Sequence, residues 1–336
     1  MKKTGLIIGD VGVGVNSILP HVNKWAWDYY IKGCANTWMP TEVSMAEDIM
    51  QWKSPAKLTD EERLLIKRNL GFFACSESLV SNNLFLGIYQ YVIDPECRQY
   101  IARQIFEEAL HNHTLVYMCD SLSLAADELY EAYLNIAAIK AKDDFLMQIT
   151  SDLLRKDFDI NTIAGKKELL RNVIVFYLVC EGTFFFSGFA MLLSLKRRNL
   201  MPGIGEQIEY TLRDENLHIE FGTKLIQTII AQNPEVWDTD FKDLLRGYFV
   251  TAVELEVAYA KDALPNGILG LNADMFLLYM EHIAQIRMTS IGIEWSGQET
   301  TNPFPWLGEA VFIAKAKNFF ESRVTEYKVG QMQDDL

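Results

Sequence analysis

The chain has 336 residues, 49% of them hydrophobic, and a formal net charge of −14 at neutral pH. This acidic balance argues against direct nucleic-acid binding, which needs a basic surface. The length exceeds the usual size of one core, yet a long helical bundle can accommodate it. The five cysteines show no paired spacing and mostly lie in apolar runs, which indicates reduced core residues in a cytoplasmic protein.

The first 20 residues are rich in glycine and valine and are predicted to form a loose N-terminal arm. Their apolar stretch ends at Asp10, too early for a signal peptide. The glycine spacing fits neither a dinucleotide-binding motif nor a P-loop. A short helix follows over Lys24–Lys32. The chain then bends at Trp38–Pro40, because proline disfavours a helical conformation in the preceding residue.

Two long helices with clear N-terminal signals come next. Thr59 and Glu62 form a capping box, and the apolar pattern then continues to about Val92. Asp94 followed by Pro95 is typical of an N-cap and a first-turn proline, so a second helix begins there.

The rest of the pattern also favours helices, and no stretch alternates in the manner of a strand, so the predicted fold class is all-α. The further helices are expected over 127–154, over 166–195, after breaks at Gly203 and Gly205, over 238–262 and over 272–292. Residues 21–310 are therefore predicted to form one helical domain. Residues 311–336 end in a polar, acidic tail of a kind that is usually mobile unless a partner holds it.

One apolar run, Asn172–Leu195, has the length of a membrane span. Glu181 interrupts it, and a carboxylate within lipid is costly and rare. A helix that is apolar on all sides can instead be the central helix of a large bundle. We prefer that interpretation and expect no membrane association.

A duplicated motif carries the chemistry. Glu-x-x-His occurs twice, and on a helix this spacing directs a carboxylate and an imidazole to one face. Each copy follows a further glutamate that lies in an apolar run about one helical hairpin earlier. This arrangement is the pattern of ferritin-like dinuclear carboxylate proteins. The six residues are Glu77, Glu108, His111, Glu181, Glu215 and His218.

A single buried glutamate or histidine is usually a hydrogen-bonded structural residue. Six in this pattern indicate more, because glutamate is rarely buried unless it is paired, and four in apolar helices would repel one another without a cation. Carboxylate and imidazole ligands suit iron or manganese. The sequence thus predicts a dinuclear metal site. His21, His113 and His282 lack the ligand spacing and are interpreted as ordinary residues.

Longer matches make the chain resemble the small, radical-generating subunit of class I ribonucleotide reductase. The resemblance runs over nearly the whole chain, from Trp38-Met39-Pro40-Thr41-Glu42-Val43 to Phe304-Pro305-Trp306, and includes Glu181-Gly182-x-Phe184-Phe185-x-Ser187-Gly188-Phe189 and Arg213-Asp214-Glu215-x-x-His218. It implies a ferritin-like bundle with additional helices, and a dinuclear metal site in its four-helix core. It also implies that the six residues of the duplicated motif are the metal ligands.

In most members of that family a tyrosine four residues after the first ligand histidine becomes the radical. Here that position is Leu115, and Tyr117 lies about 200° around the helix from it. The chain therefore resembles the tyrosine-less members, class Ic above all, in which a manganese–iron pair is the stored oxidant. Glu77 agrees with this, since many tyrosyl members have aspartate there. Mn/Mn and Fe/Fe centres are the alternatives.

The resemblance also implies a route for the oxidising equivalent. Trp38 and Asp214 match the pair that links a histidine ligand to the protein surface, and a ligating imidazole usually does donate its second N–H to a carboxylate. Tyr210 lies one helical turn before Asp214 and matches a tyrosine assigned to electron delivery during activation. Tyr327, in the tail, matches the tyrosine that passes the oxidant to the large subunit.

The implied function is conversion of ribonucleotides to deoxyribonucleotides together with a large catalytic subunit, which the tail contacts. This chain is expected to form a homodimer and to need an oxygen species for activation. Two alternatives use the same bundle. An iron-storage ferroxidase would have no use for Trp38, Asp214 or a tail tyrosine. A ligand-binding oxidase or monooxygenase would need an apolar channel, and a tightly bound lipid would favour it.

Overall fold

The computed structural model describes residues 5–10, 17–125, 127, 131–295, 297 and 300–308. Helices dominate this part of the chain and confirm the all-α prediction: its only β-pairing consists of two isolated bridges. The α-helices in chain order are α1 (Lys24–Ala35), α2 (Ala46–Trp52), α3 (Asp60–Asn82), α4 (Pro95–Leu122), α5 (Ala132–Asn135), α6 (Ala137–Thr150), α7 (Ile163–Ile174), α8 (Phe185–Lys196), α9 (Pro202–Gln232), α10 (Thr239–Ala263) and α11 (Met275–Ser290). Single 3-10 turns cover Pro40–Glu42, Ser151–Leu154 and Pro234–Val236.

The two helix starts predicted from capping signals are confirmed. The Thr59 hydroxyl accepts from the Glu62 backbone N–H at 3.2 Å, and the Glu62 carboxylate accepts from the Thr59 backbone N–H at 2.9 Å. The Asp94 carboxylate accepts from the Cys97 backbone N–H at 2.9 Å. These bonds satisfy N–H groups that a helix N-terminus leaves without partners. They fix where α3 and α4, two of the site-bearing helices, begin.

Two predicted helices continue as π-helix. Helix α3 ends at Asn82 and passes into a π-helical turn over Asn83–Ile88, short of the predicted end near Val92. The apolar run predicted as one helix consists of α7, a π-helical segment over Val175–Phe184 and α8. π-Helical turns are rare and concentrate at functional sites. The second segment carries Glu181.

The apolar run from Ile163 to Lys196 is a helical stretch long and apolar enough to cross a membrane, yet its most apolar window is completely buried inside the protein. Helices α9, α10 and α11 pack against its π-helical segment. This position agrees with the prediction of a central bundle helix.

The prediction of one helix over 127–154 is wrong. Ile136 adopts an extended conformation, with φ −116° and ψ 106°, and this separates α5 from α6. A 3-10 turn then follows α6. Residues 126 and 128–130 lie outside the described part of the chain.

The predicted breaks at Gly203 and Gly205 are also wrong, because both glycines lie inside the first turn of α9. The Asp48 carboxylate, from α2, accepts from the backbone N–H groups of Gly203 at 2.7 Å and Ile204 at 2.8 Å. A side chain from another helix therefore caps this N-terminus. A Cβ on Gly203 would lie 2.6 Å from the Ser44 carbonyl oxygen, so glycine serves close approach there.

Residues 5–10 of the N-terminal arm pack against the helical domain. Ile7 and Ile8 are buried. The Ile7 N–H donates to the Gln232 side chain at 2.9 Å, and the Gly9 N–H donates to the Tyr91 carbonyl at 3.1 Å. Buried apolar side chains and backbone hydrogen bonds, including one from the Ile93 N–H to the Ile7 carbonyl at 2.8 Å, thus hold this segment against the end of α9 and the α3–α4 connection.

Candidate metal centre

The six side chains of the duplicated motif converge inside the bundle. Glu77 comes from α3, Glu108 and His111 from α4, Glu181 from the π-helical segment, and Glu215 and His218 from α9. All six are buried. Helices α3 and α4 pack together, as do α9 and the π-helical segment, so each half of the repeat forms one packed helix pair.

The side chains form two groups that share Glu108. The first group consists of Glu77, Glu108, His111 and Glu215, and the second consists of Glu108, Glu181 and His218. Within each group, one ligand atom of every residue lies within 4.8 Å of those of the others. His111 Nδ1 lies 3.2 Å from Glu215 Oε1 and 3.4 Å from Glu108 Oε2. His218 Nδ1 lies 3.3 Å from Glu108 Oε1. Each group contains one histidine, and Glu108 belongs to both. This arrangement is suited to two adjacent cations that share the Glu108 carboxylate.

The donor set fits metal ions. One oxygen of each of the four glutamates is buried without a hydrogen-bond partner, as are both ring nitrogens of His111. In the described part of the chain these four carboxylates form ion pairs with histidine alone, never with lysine or arginine. Burial, together with the neighbouring carboxylates, raises the pKa of Glu77 and of Glu181 well above the usual range. Divalent cations would supply the missing positive charge.

Asp214 links the cluster to Trp38. Its Oδ2 lies 3.6 Å from His111 Nε2, the ring nitrogen that faces away from the glutamates, and accepts from Trp38 Nε1 at 2.8 Å. Its Oδ1 accepts from the Arg213 guanidinium at 3.1 Å and 3.2 Å. Burial opposes ionisation of Asp214, but the interaction with His111 and the charge of Arg213 outweigh it and lower the pKa of Asp214. Asp214 is thus a buried carboxylate that orients the imidazole.

Glu107 is the counterpart of Asp214, and the sequence analysis missed it. Its Oε2 lies 2.9 Å from His218 Nε2, and its Oε1 accepts from Arg103 Nε at 3.1 Å. A signal was present, because an acidic residue precedes the glutamate in both copies of the motif. The complete repeat is acid-Glu-x-x-His. Each acid serves the histidine of the other copy, a crossing that spacing along one helix does not reveal.

The remaining predicted residues are placed as follows. Leu115 is buried in α4. The Tyr117 hydroxyl is directed away from the cluster and donates to the Val43 carbonyl at 3.0 Å. The Tyr210 ring lies 5.0 Å from the Trp38 ring, centroid to centroid. Tyr327 lies outside the described residues, so its role stays a prediction.

Comparison with known proteins assigns the family. Residues 15–303 match the family model described as "Ribonucleotide reductase, small chain". The chain belongs to the ribonucleotide reductase small-chain family.

This small chain is 49% identical over 328 residues to the ribonucleoside-diphosphate reductase subunit beta of Chlamydia pneumoniae, covering 98% of this chain and 94% of that protein. The solved R2 subunit of ribonucleotide reductase from Clostridium botulinum superimposes with a TM-score of 0.79 at 25% identity, over 90% of this chain and 94% of the other. An R2-like ligand-binding oxidase with a Mn/Fe cofactor superimposes with a TM-score of 0.66 over 84% of this chain and 99% of its own, but at 19% identity it shares the fold alone.

The predictions of a ferritin-like fold and of a class I ribonucleotide reductase small subunit are therefore confirmed. The chain is a subunit of ribonucleoside-diphosphate reductase, which works with a large subunit. Neither the ferroxidase nor the ligand-binding oxidase interpretation is favoured.

Proposed function

We propose that this small subunit holds a dinuclear metal centre on Glu77, Glu108, His111, Glu181, Glu215 and His218, and delivers a one-electron oxidant from it to the large subunit. The observation that carries the proposal is the position of Asp214, whose Oδ2 lies 3.6 Å from His111 Nε2 and accepts a hydrogen bond from Trp38 Nε1 at 2.8 Å. When bound, the metals would react with an oxygen species and retain one oxidising equivalent. The protein's part is to hold the ligands, keep water out and connect the site to its partner.

The absence of a tyrosine at Leu115 supports a metal-centred oxidant, and we propose a Mn/Fe pair, with Mn/Mn and Fe/Fe as alternatives. Leucine has no oxidisable group, and the Tyr117 hydroxyl is hydrogen-bonded to Val43 on the far side of the helix. The carboxylate-rich donor set, with one histidine in each group, suits manganese and iron equally well.

Asp214 and Trp38 form the proposed exit. Asp214 is held from both sides, by the Arg213 guanidinium on one oxygen and by the Trp38 indole N–H on the other. The indole ring is buried, so it can lose an electron without exposure to bulk water. Tyr210, packed against the Trp38 ring, is placed in contact with the same route, which supports its assignment to electron delivery during activation.

The other parts of the proposal concern assembly and location. We propose a homodimer that contacts the large subunit through residues 311–336, with Tyr327 as the last carrier on this chain. Cytoplasmic location is supported by the cysteines, all five of which are free.

The deciding experiment is Trp38→Phe. We expect this variant to keep both metals, yet to lower deoxynucleotide formation with the large subunit by about 10–100-fold or more, because phenylalanine neither bonds Asp214 nor oxidises readily. Trp25→Phe is the matched control, since Trp25 packs on Phe221 rather than on Asp214. Normal turnover by Trp38→Phe would eliminate the proposed route.

A second variant tests the tail. Tyr327→Phe should leave both the metal content and the affinity for the large subunit unchanged, yet stop turnover. Deletion of the residues beyond Val329 should weaken the complex and leave the metals in place. Normal turnover by Tyr327→Phe would show that the tail binds the large subunit but that Tyr327 does not carry the oxidant.

A further inference from the structure

Gln104 contacts the metal cluster from outside the duplicated motif. It lies one helical turn before Glu108 on α4 and is completely buried. Its Nε2 donates to Glu181 Oε1 at 2.9 Å and to Glu108 Oε1 at 3.2 Å. Its Oε1 accepts from the Tyr177 hydroxyl at 2.9 Å. The amide therefore uses both of its ends on buried partners.

The orientation of this amide follows from its partners. A flipped amide would place Oε1 against two carboxylate oxygens, which are acceptors only, and would lose both hydrogen bonds. Tyr177 holds the correct orientation, because its hydroxyl donates to Oε1. The Tyr177 ring is itself fixed: a Cβ on Gly222 would lie 2.1 Å from its Cγ, and Phe176 packs on it edge to face at 4.8 Å.

The second copy of the motif has no equivalent of this contact. The residue one turn before Glu215 is Thr211, and its hydroxyl donates to the Gln207 carbonyl of the same helix at 3.1 Å. The two acid-Glu-x-x-His copies match at the acids, the glutamates and the histidines. They differ one turn before the glutamate. Gln104 donates to two carboxylates there, whereas Thr211 bonds to the backbone of its own helix.

The contact also divides the cluster unequally. Both carboxylates of the group formed with His218 accept from Gln104, whereas the group formed with His111 is touched only through the shared Glu108. A hydrogen-bonded carboxylate is held in one orientation. Loss of a side chain that orients a metal ligand lowers metal affinity by roughly 10–100-fold.

We propose that Gln104 is a positioning residue that makes the two metal positions inequivalent, by holding Glu181 and one oxygen of Glu108 toward the position that includes His218. This inference rests on the proposed dinuclear centre. It assigns the difference between the positions to one amide and its supporting tyrosine, rather than to the ligands alone.

The test is a titration of the metal-free full chain with Mn²⁺, following the free ion by electron paramagnetic resonance. Wild type should bind two ions per chain. Gln104→Leu should weaken one of the two by about 10–100-fold and leave the other unchanged. Thr211→Val is the matched control, and it should leave both ions as tightly bound as in wild type.

Two further variants separate the hydrogen bonds from side-chain size. Gln104→Met keeps a side chain of similar length but removes both N–H donors without adding charge, so the loss at the affected position should match that of Gln104→Leu. Tyr177→Phe keeps both donors and removes only the partner of Oε1, so the same position should weaken by less.

Each outcome has one meaning. Unchanged or equally weakened binding at both positions in Gln104→Leu would overturn the inference, as would tight binding at both positions in Gln104→Met. If circular dichroism shows that the Gln104 variants do not fold, Tyr177→Phe decides, and unchanged binding there overturns the inference. Failure of wild type to bind two ions would instead contradict the proposed function.

Discussion

Two buried ionic clusters in this chain are built on opposite principles. Lys142 and Glu256 are completely buried and form an ion pair at 2.5 Å. The Lys142 ammonium also lies 3.3 Å from the centre of the Phe72 ring and 4.2 Å from that of Tyr259. The metal cluster, in contrast, gathers four glutamates whose ion pairs in the described part of the chain involve histidine alone.

The two clusters differ in the source of the positive charge that balances their carboxylates. A buried carboxylate must be paired or must lose its charge. Glu256 has a cation supplied by the chain, so its charge is balanced when the protein folds. The glutamates of the candidate metal site have too few cationic partners within the chain, and metal ions would balance their charge. Substitutions in the first cluster should therefore affect folding, and substitutions in the second should affect loading.

The largest expected effect is at the metal cluster. Glu108→Ala or His218→Ala should remove at least one metal ion per chain and abolish turnover while the helices persist, because each residue serves a group that has few other ligands. Metal analysis with circular dichroism checks this. Added metal should raise the unfolding midpoint of wild type more than that of either variant. Two metals per chain in both variants would refute the ligand set.

The next effect is at the chain's own cation. Lys142→Met leaves Glu256 buried and unpaired, and the free energy of unfolding should fall by about 3–5 kcal/mol in denaturant titrations, with the metal stoichiometry unchanged. The double variant Lys142→Met with Glu256→Leu should recover most of this loss. Lys140→Met, on the exposed face of the same helix, is the control and should have little effect. Equal effects at both lysines would remove the contrast between the clusters.

A pH effect beside Lys142 sharpens the same comparison. Burial raises the pKa of Asp143 from 3.8 to about 6, although the charge of Lys142 and a hydrogen bond from Ser76 at 3.1 Å oppose the rise. Because the folded pKa lies above the unfolded one, this group stabilises the fold at low pH. That contribution is lost as pH rises from about 4 to about 6.

Asp143→Asn should therefore be more stable than wild type by roughly 1–3 kcal/mol at pH 7 and nearly equal to it at pH 4. Urea unfolding across this pH range measures the difference. Asp144→Asn, at the exposed neighbouring position, should show no such gain. A variant at Asp143 that is less stable than wild type at pH 7 would contradict the assigned cause.

The smallest effect is expected at Tyr117. Tyr117→Phe removes one hydrogen bond to Val43, worth about 0.5–1.5 kcal/mol, and should leave turnover and the paramagnetic signal of the oxidant unchanged. A tyrosyl signal that tracks activity and disappears in this variant would place the oxidant on Tyr117. The proposal that the metal ions store the oxidant would then be wrong.

The two Glu-x-x-His pairs could be found in the sequence because their spacing is local. Glu108 and His111 share a helix face wherever that helix lies, and the same holds for Glu215 and His218. The helix starts at Thr59 and Asp94 were equally predictable, since each capping bond spans three residues. The start of α9 was not, because its N–H groups are capped by Asp48 from a distant helix.

The amino-acid sequence by itself determined the all-α class and the duplicated Glu-x-x-His motif, because periodicity and spacing act within single helices. Only the tertiary structure decided that Asp214 serves His111 while Glu107 serves His218, that Gln104 holds the carboxylates of one group, and that the helix with Glu181 changes to π-helix. Each of these depends on contacts between helices far apart in the chain. Their geometry is set by packing, which no local pattern records.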